Sequence, residues 1–182
     1  MIGKNSIPNK KTGEEIIVHL RRHWFIFFKI FLLFAVLFSL PVVIYYFFNA
    51  ALPGIYDNPI TYPILLVGVF IYYLMTLVFA FTFWTTTYLD VWTITTERII
   101  NREQNGLFNR VVSELDLYRV QDVTAEQKGF FATIFHYGDV YIQSAGSKER
   151  FVFEQVPNPY SIAKMVQRLD EKAKINHAHE PV

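Results

Sequence analysis

Hydrophobic and polar positions divide the chain into three regimes. Trp24–Phe48 and Tyr62–Trp84 are nearly unbroken apolar runs; from residue 89 the pattern alternates with a period near two; after Asn158 it returns to a helical period. An apolar run of about 25 residues rises roughly 37 Å as a helix, enough to cross a hydrocarbon core of about 30 Å. The pattern therefore predicts a hairpin of two membrane-spanning helices, residues 24–48 and 62–88. Their connection, Asn49–Thr61, holds Pro53, Gly54, Asn58 and Pro59 and has no Lys or Arg. Thr61 is a candidate cap for the second helix, and Pro63 lies in its first turn, where a missing N–H costs little. Pro41 predicts a kink late in the first helix. That first run is too long and too aromatic for the core of a cleaved signal peptide, about 7–15 residues, so it reads as an anchor.

Ahead of the first run, residues 1–13 read as a disordered polar lead. In Glu14–His23, Ile16, Ile17 and Leu20 recur at helical spacing next to Arg21 and Arg22. This segment reads as an amphipathic collar at the headgroups or as the fraying start of the first span. Beyond the second run, Leu89–Thr95, Arg98–Gln104, Val111–Leu117, Val120–Gln127, Asp139–Ser144 and Arg150–Gln155 read as short strands. Asn105-Gly106 predicts a type I′ hairpin turn, and Ala145-Gly146 another turn. Asn158-Pro159 is a cap and first-turn pair opening a helix, on which Ile162, Met165, Val166 and Leu169 form one core-facing stripe. Pattern alone assigns neither Trp92 nor Phe130 and Phe131 to core or surface. The resulting division is a lead and collar (1–23), a transmembrane hairpin (24–88), a β-rich domain (89–172) and a disordered tail (173–182).

Charge sharpens the picture. Residues 1–23 carry Lys4, Lys10, Lys11, Arg21 and Arg22 against Glu14 and Glu15, whereas residues 89–182 carry eleven Lys/Arg against thirteen Asp/Glu. The β-rich part lacks the basic footprint of a nucleic-acid binder. Arg21 and Arg22 precede the first span, and Arg98 and Arg102 follow the second. With no cation in the connecting loop, both termini are expected in the cytoplasm and the chain in the plasma (inner) membrane as a multi-pass protein. Arg21, Arg22, Trp24, Trp84, Tyr88, Trp92 and Arg98 are the candidate membrane-interface residues.

Chemistry-bearing patterns are sparse. The chain has no cysteine, which excludes disulfides, thiolate metal sites and thiol nucleophiles. His19 and His23 have the i, i+4 spacing of helical metal pairs, but Arg21 and Arg22 intervene where a cation would be repelled, so they read as interfacial. His136 reads as a strand-entry residue, and His177 and His179 as part of the tail. Glu114, Asp116 and Asp122 are expected on strands facing solvent rather than converging on a pocket. No phosphate-binding glycine loop or nucleophile elbow occurs. The reading is of a non-enzyme, with no catalytic, metal or cofactor residue assigned.

The segments WTITTERIINREQNGLF, LDLYRVQDV, FHYGDVYIQSAG and VPNPYSIAKMV, together with GEEIIVHLRRHW before the first span, resemble the bacterial pleckstrin-homology-like (PH-like) membrane proteins of the YdbS type. The likeness runs over about residues 13–170. It implies a bent antiparallel sheet or barrel capped by a C-terminal helix and anchored in the plasma membrane, and it carries over no catalytic residue. The job it implies is an interaction module that recruits or assembles a protein partner at the cytoplasmic face, the partner being a related PH-like membrane protein or a second copy. The alternative is a membrane-lipid-binding module, and after it a transport or enzyme accessory subunit. A phosphorylated headgroup is disfavoured, because the first strand connection offers Arg98 and Arg102 beside Glu97, too few cations to hold a phosphate firmly.

Overall fold

The computed structural model describes residues 13–52, 54, 56–144 and 151–179, the side chains of 176–179 excepted. The elements run β1 (Ile16–Leu20), α1 (Trp24–Ala51), α2 (Thr61–Leu89), β2 (Val91–Thr95), β3 (Arg98–Asn105), β4 (Asn109–Asp116), a 3₁₀ turn (Leu117–Arg119), β5 (Val120–Glu126), α3 (Phe130–Phe135), β6 (Tyr137–Ser144), β7 (Phe151–Pro157) and α4 (Pro159–His179). They form two compact units, Phe25–Thr85 and a β-rich unit built from the residues on either side of it.

The helical unit is an apolar hairpin. The most apolar stretch of each helix has almost nothing buried along it, so the two present apolar side chains outward nearly all round. The side chain of Asn58 caps α2: its Oδ1 accepts from the backbone N–H groups of Ile60 (2.9 Å) and Thr61 (3.3 Å), the work expected of Thr61. α1 continues through Pro41. Proline has no N–H to give the carbonyl four residues back, that of Leu37. The Tyr72 hydroxyl of α2 donates to this oxygen at 2.8 Å, and that of Tyr73 donates to the next carbonyl, Phe38, at 3.2 Å. Interhelical bonds of this kind contribute about 0.6–1.7 kcal/mol in an apolar medium. They register the two helices together with the stacked rings of Phe38 and Tyr73 and the edge-on contact of Phe27 with Trp84.

The β-rich unit holds two antiparallel sheets, one ordered β1-β2-β3-β4 and the other β5-β6-β7. β1 corrects the expectation of a helical collar. Ile16, Val18 and Leu20 also alternate at period two, and they turn inward while Ile17 and His19 face out. Residues 16–20 pair antiparallel with β2, from Ile16 opposite Thr95 to Leu20 opposite Trp92. The lead is therefore an edge strand of the sheet, and the apolar hairpin is an insertion between two adjacent strands. β3 and β4 pair from Arg98–Asp116 to Asn105–Asn109, so their turn has three residues, with Gly106 alone in the left-handed region (φ 76°). The two-residue turn expected from Asn105-Gly106 gives way to this longer loop, which projects Leu107 and Phe108.

Inside, Leu20, Trp92, Ile94, Ile99, Leu115, Leu117, Val123, Val140, Ile142, Phe153 and Val156 meet the stripe of α4. Ile162, Ala163 and Val166 of that helix are buried, and Met165 and Leu169 are half-buried. The helix continues to His179, so residues 173–179 are helical where a disordered tail was expected. The Lys174 ammonium donates to the Val120 carbonyl at 2.8 Å and pairs with Asp170, tying the later turns to β5. The polar lead of residues 1–12, the Ala145-Gly146 turn and the side chains of His177 and His179 lie outside the described residues.

Gly138 lies where β6 passes close to the end of β5. A Cβ there lies 2.2 Å from the carbonyl oxygen of Glu126 and 3.1 Å from its carbon, and backbone cannot swing aside as a long side chain can. Gly138→Ala is expected to push β6 off β5 at a cost of about 1–3 kcal/mol. A thermal melt checks this, and an unchanged midpoint refutes it.

Candidate functional site

Two ionic clusters sit at opposite ends of β1, and each joins the lead to the part of the sheet that lies beyond the hairpin. At the first, Glu14 is wholly buried (0% exposed) and Arg98 nearly so (5%). The Arg98 guanidinium grips the carboxylate in a fork, Nε to Oε1 at 2.9 Å and Nη2 to Oε2 at 3.0 Å. Thr95 Oγ1 donates to the same Oε1 at 2.8 Å, and Arg98 Nη1 also pairs with Glu114 at 2.5 Å. The hydrogen bond to Glu14, together with the two neighbouring carboxylates, holds the Arg98 guanidinium above its ordinary range against the opposing effect of burial. A bidentate pair with its remaining positions filled is the arrangement that offsets the desolvation of two buried charges.

At the second cluster, Arg22 Nε and Nη2 donate to Asp90 Oδ2 at 3.2 and 3.0 Å. Nη2 also reaches Glu154 at 2.6 Å, and Nη1 donates to Gln155 Oε1 at 3.1 Å. Asp90 Oδ1 accepts the backbone N–H of Gln104 at 2.8 Å. The backbone N–H of His23 donates to the Gln155 carbonyl at 2.7 Å, so residues 22 and 23 lace the first sheet to β7. A cleft of about 190 Å³ opens here, lined by Arg22, Asp90, Trp92, Asn101, Glu103 and Glu154 among others. One guanidinium against three carboxylates makes it a poor receptor for an anionic headgroup.

The sequence-predicted interface residues fall into two groups. Trp92 (3% exposed) is core, packed 5.8 Å from Phe153, and Arg98 is the buried half of an ion pair. Neither side chain is open at the surface of the domain, and Arg22 is engaged with Asp90 and Glu154. Trp24, Trp84 and Tyr88 are exposed; Arg21 is exposed too, with its guanidinium 4.9 Å above the Tyr88 ring. Phe130 and Phe131 are exposed on α3, a helix that the alternating pattern around it concealed. Glu114 is drawn toward Arg98 rather than left free in solvent. Glu14 and Asp90 were missed, since a lone acid beside a strand looks like any solvated charge until its partner is placed.

His19 and His23 do not share a helical face. His19 lies on β1 with Nδ1 3.0 Å from Thr93 Oγ1, and His23 stacks on Tyr137 at 5.4 Å. Among the described residues no group of three or more His, Asp or Glu is placed to hold a metal ion. Burial pushes the His23 imidazole below its ordinary 6.5. The folded state therefore binds that proton less readily than the unfolded chain, and the stability it supports is whole above pH 6.5 and lost as pH falls through the depressed value. Melting points measured from pH 7.5 to 5 are expected to fall, and His23→Phe is expected to flatten that slope.

A pair of antiparallel sheets, with seven strands among the described residues, closed by a C-terminal helix and fastened by internal ion pairs, defines a PH-like module. A family model for the bacterial PH domain matches residues 25–170, and the chain belongs to that family. The match begins after β1, so the first strand of the sheet lies outside it. A solved structure, a DUF1696 family protein with a pleckstrin-homology domain from Shewanella loihica PV-4, is similar at 16% identity and a TM-score of 0.37, over 44% of this chain and 70% of that one. No curated protein matches the chain.

Proposed function

We propose that the protein is a membrane-tethered PH-like module that docks a protein segment at the cytoplasmic face. α1 and α2 serve as the tether, as their length and outward apolar surface support. That β1 and β2 belong to one sheet supports placing the residues before α1 and after α2 on one side of the bilayer. The cations beside the helices, set against a cation-free connecting loop, favour the cytoplasmic side.

The observation that carries the docking reading is β4. Among the described residues it pairs only with β3, which leaves an edge eight residues long, and Val111 and Val112 on it are exposed. An open edge of that length is a template for strand addition, with backbone hydrogen bonds giving affinity and alternate side chains selectivity. Tethering raises the concentration of the module near any partner in the same membrane. The carboxylates Glu14, Asp90 and Glu114 are spent on ion pairs, which favours a binding role over catalysis.

The test is photo-crosslinking in native membranes, with the probe at Val112 and, for comparison, at Asp122 on β5. Adducts of protein mass at Val112, lost when the neighbouring edge position is changed by Val111→Lys, are the expected result. Phospholipid adducts alone at Val112 would overturn it in favour of a lipid-binding module.

A further inference from the structure

The register of the two sheets brings several of the exposed apolar residues of the β-rich unit to one end. Leu20 lies opposite Trp92, Val91 opposite Arg102 and Asn105 opposite Asn109. The exit of β1, the entry of β2 and the β3–β4 loop therefore share an end, and the polar Thr96-Glu97 turn lies at the other. In the second sheet Glu126 lies opposite Asp139 and Tyr137 opposite Pro157, which places α3 at the end defined by β6's start and β7's finish. That end meets the same part of the first sheet: His23 stacks on Tyr137 and bonds to Gln155, and the rings of Trp24 and Phe135 meet edge-on at 5.7 Å.

On this end Phe108 is 98% exposed, Phe130 74% and Trp24 60%, with Phe131 and Ile134 about half exposed and Leu107 beside them. These six come from three separate elements. Each keeps a large apolar surface open despite the ring contacts of Trp24 with Phe135 and of Phe130 with Phe131, and an apolar gathering of this kind on a folded domain marks an interaction site. Connectivity names its occupant. Trp24 and Leu89, where the chain passes into and out of the two long apolar helices, belong to this same end, and that connectivity favours a bilayer as the occupant. Arg21, Arg110 and Lys128 are exposed there as well, a setting suited to headgroups, where aromatic side chains sit most readily.

We infer that this rim, with Phe108 at the β3–β4 tip and Phe130 on α3 as its leading side chains, enters the interfacial layer of the bilayer and fixes how the PH-like module stands on the membrane. It rests on the reading of α1 and α2 as membrane spans. The lipid is met as a surface rather than as a single headgroup in a pocket, consistent with the acidic cleft beside Arg22. Seating the rim holds the domain in one orientation instead of letting it swing on its two connections, and so presents the β4 edge in a constant direction.

Since the chain has no cysteine, single substitutions accept one fluorescent label each. The full-length protein, reconstituted in phospholipid vesicles containing anionic lipid, is labelled in turn at Phe108→Cys, Phe130→Cys, Thr96→Cys at the opposite end, and Leu74→Cys midway along α2. Emission is then read with quenchers carried on the lipid at shallow or deep positions and with aqueous iodide. The expected result is loss of emission at 108 and 130 with the shallow lipid quencher, at 74 with the deep one, and at 96 with iodide only. If 74 responds to the deep quencher while 108 and 130 respond only to iodide, the spans stand and the rim is in water, which overturns the inference. If 108 and 130 are shielded from both lipid quencher and iodide, a protein surface covers them, and the bilayer is again excluded. Should 74 respond to no lipid quencher, the spans themselves fail and the seat fails with them.

Discussion

A fragment of residues 86–182 is expected not to fold, whereas the same fragment with residues 13–22 spliced through a short glycine-containing turn to Asp90 is expected to fold as a water-soluble domain. The first fragment lacks β1, and with it the Glu14 that neutralises Arg98 and the Arg22 that neutralises Asp90. Leaving one partner of a buried pair alone costs about 3–5 kcal/mol. Losing the burial of Leu20 costs roughly another 1.5–3 kcal/mol, and the β2 edge loses its ladder. Together these losses rival the whole stability of an ordinary domain, about 5–15 kcal/mol. The splice works because Leu20 and Trp92 are cross-strand neighbours and Arg22 touches Asp90, so a tight turn spans the gap that α1 and α2 now occupy. Circular dichroism and the dispersion of amide resonances distinguish the outcomes. Equal dispersion from both fragments would show that β1 is dispensable.

Glu14→Ala in the full chain is expected to be the most damaging single substitution at the ion pairs. It takes the forked carboxylate from a guanidinium that is 5% exposed and leaves Thr95 Oγ1 only the Arg98 carbonyl of its two acceptors. The expected loss is about 3–5 kcal/mol, or a fall in melting temperature on the order of 10–20 °C for a domain near 100 residues. Glu114 does not rescue it, because its side chain is about a third exposed and reaches only Nη1. The double substitution Glu14→Leu with Arg98→Met is expected to recover most of the loss, since buried pairs often exchange for apolar residues of similar volume at little cost. Non-additivity in that cycle separates the pair from the packing around it. If the double variant is as unstable as the sum of the singles, the two residues do not act as a pair.

Legibility in the sequence has a different physical reason for each element. The two apolar runs declare themselves because their signal is local: length and composition alone make a helix with an apolar surface. The six strands described after residue 89 announce themselves by alternation and turn residues, and the α4 stripe by its spacing. Glu14–His23 misleads because Ile16, Ile17, Val18 and Leu20 satisfy both periods at once. Over five residues the intrinsic difference between helix and strand is small, and pairing with Val91–Thr95, some seventy residues away in sequence, decides it. α3 misleads in the opposite sense, being a single helical turn or so inside a β pattern.

The sequence by itself determined the apolar hairpin, the β-rich character of the chain beyond residue 89 and the closing helix, all properties read from neighbours in the chain. Only the tertiary structure decided that the lead is the first strand of the domain, that Arg98 and Trp92 are interior while Phe108 stands in the open, and that Trp24, Phe108 and Phe130 share one end. Each of these depends on partners far apart in sequence. A charge or a ring carries no mark of whether water, a carboxylate or an apolar core surrounds it until the chain has closed on itself.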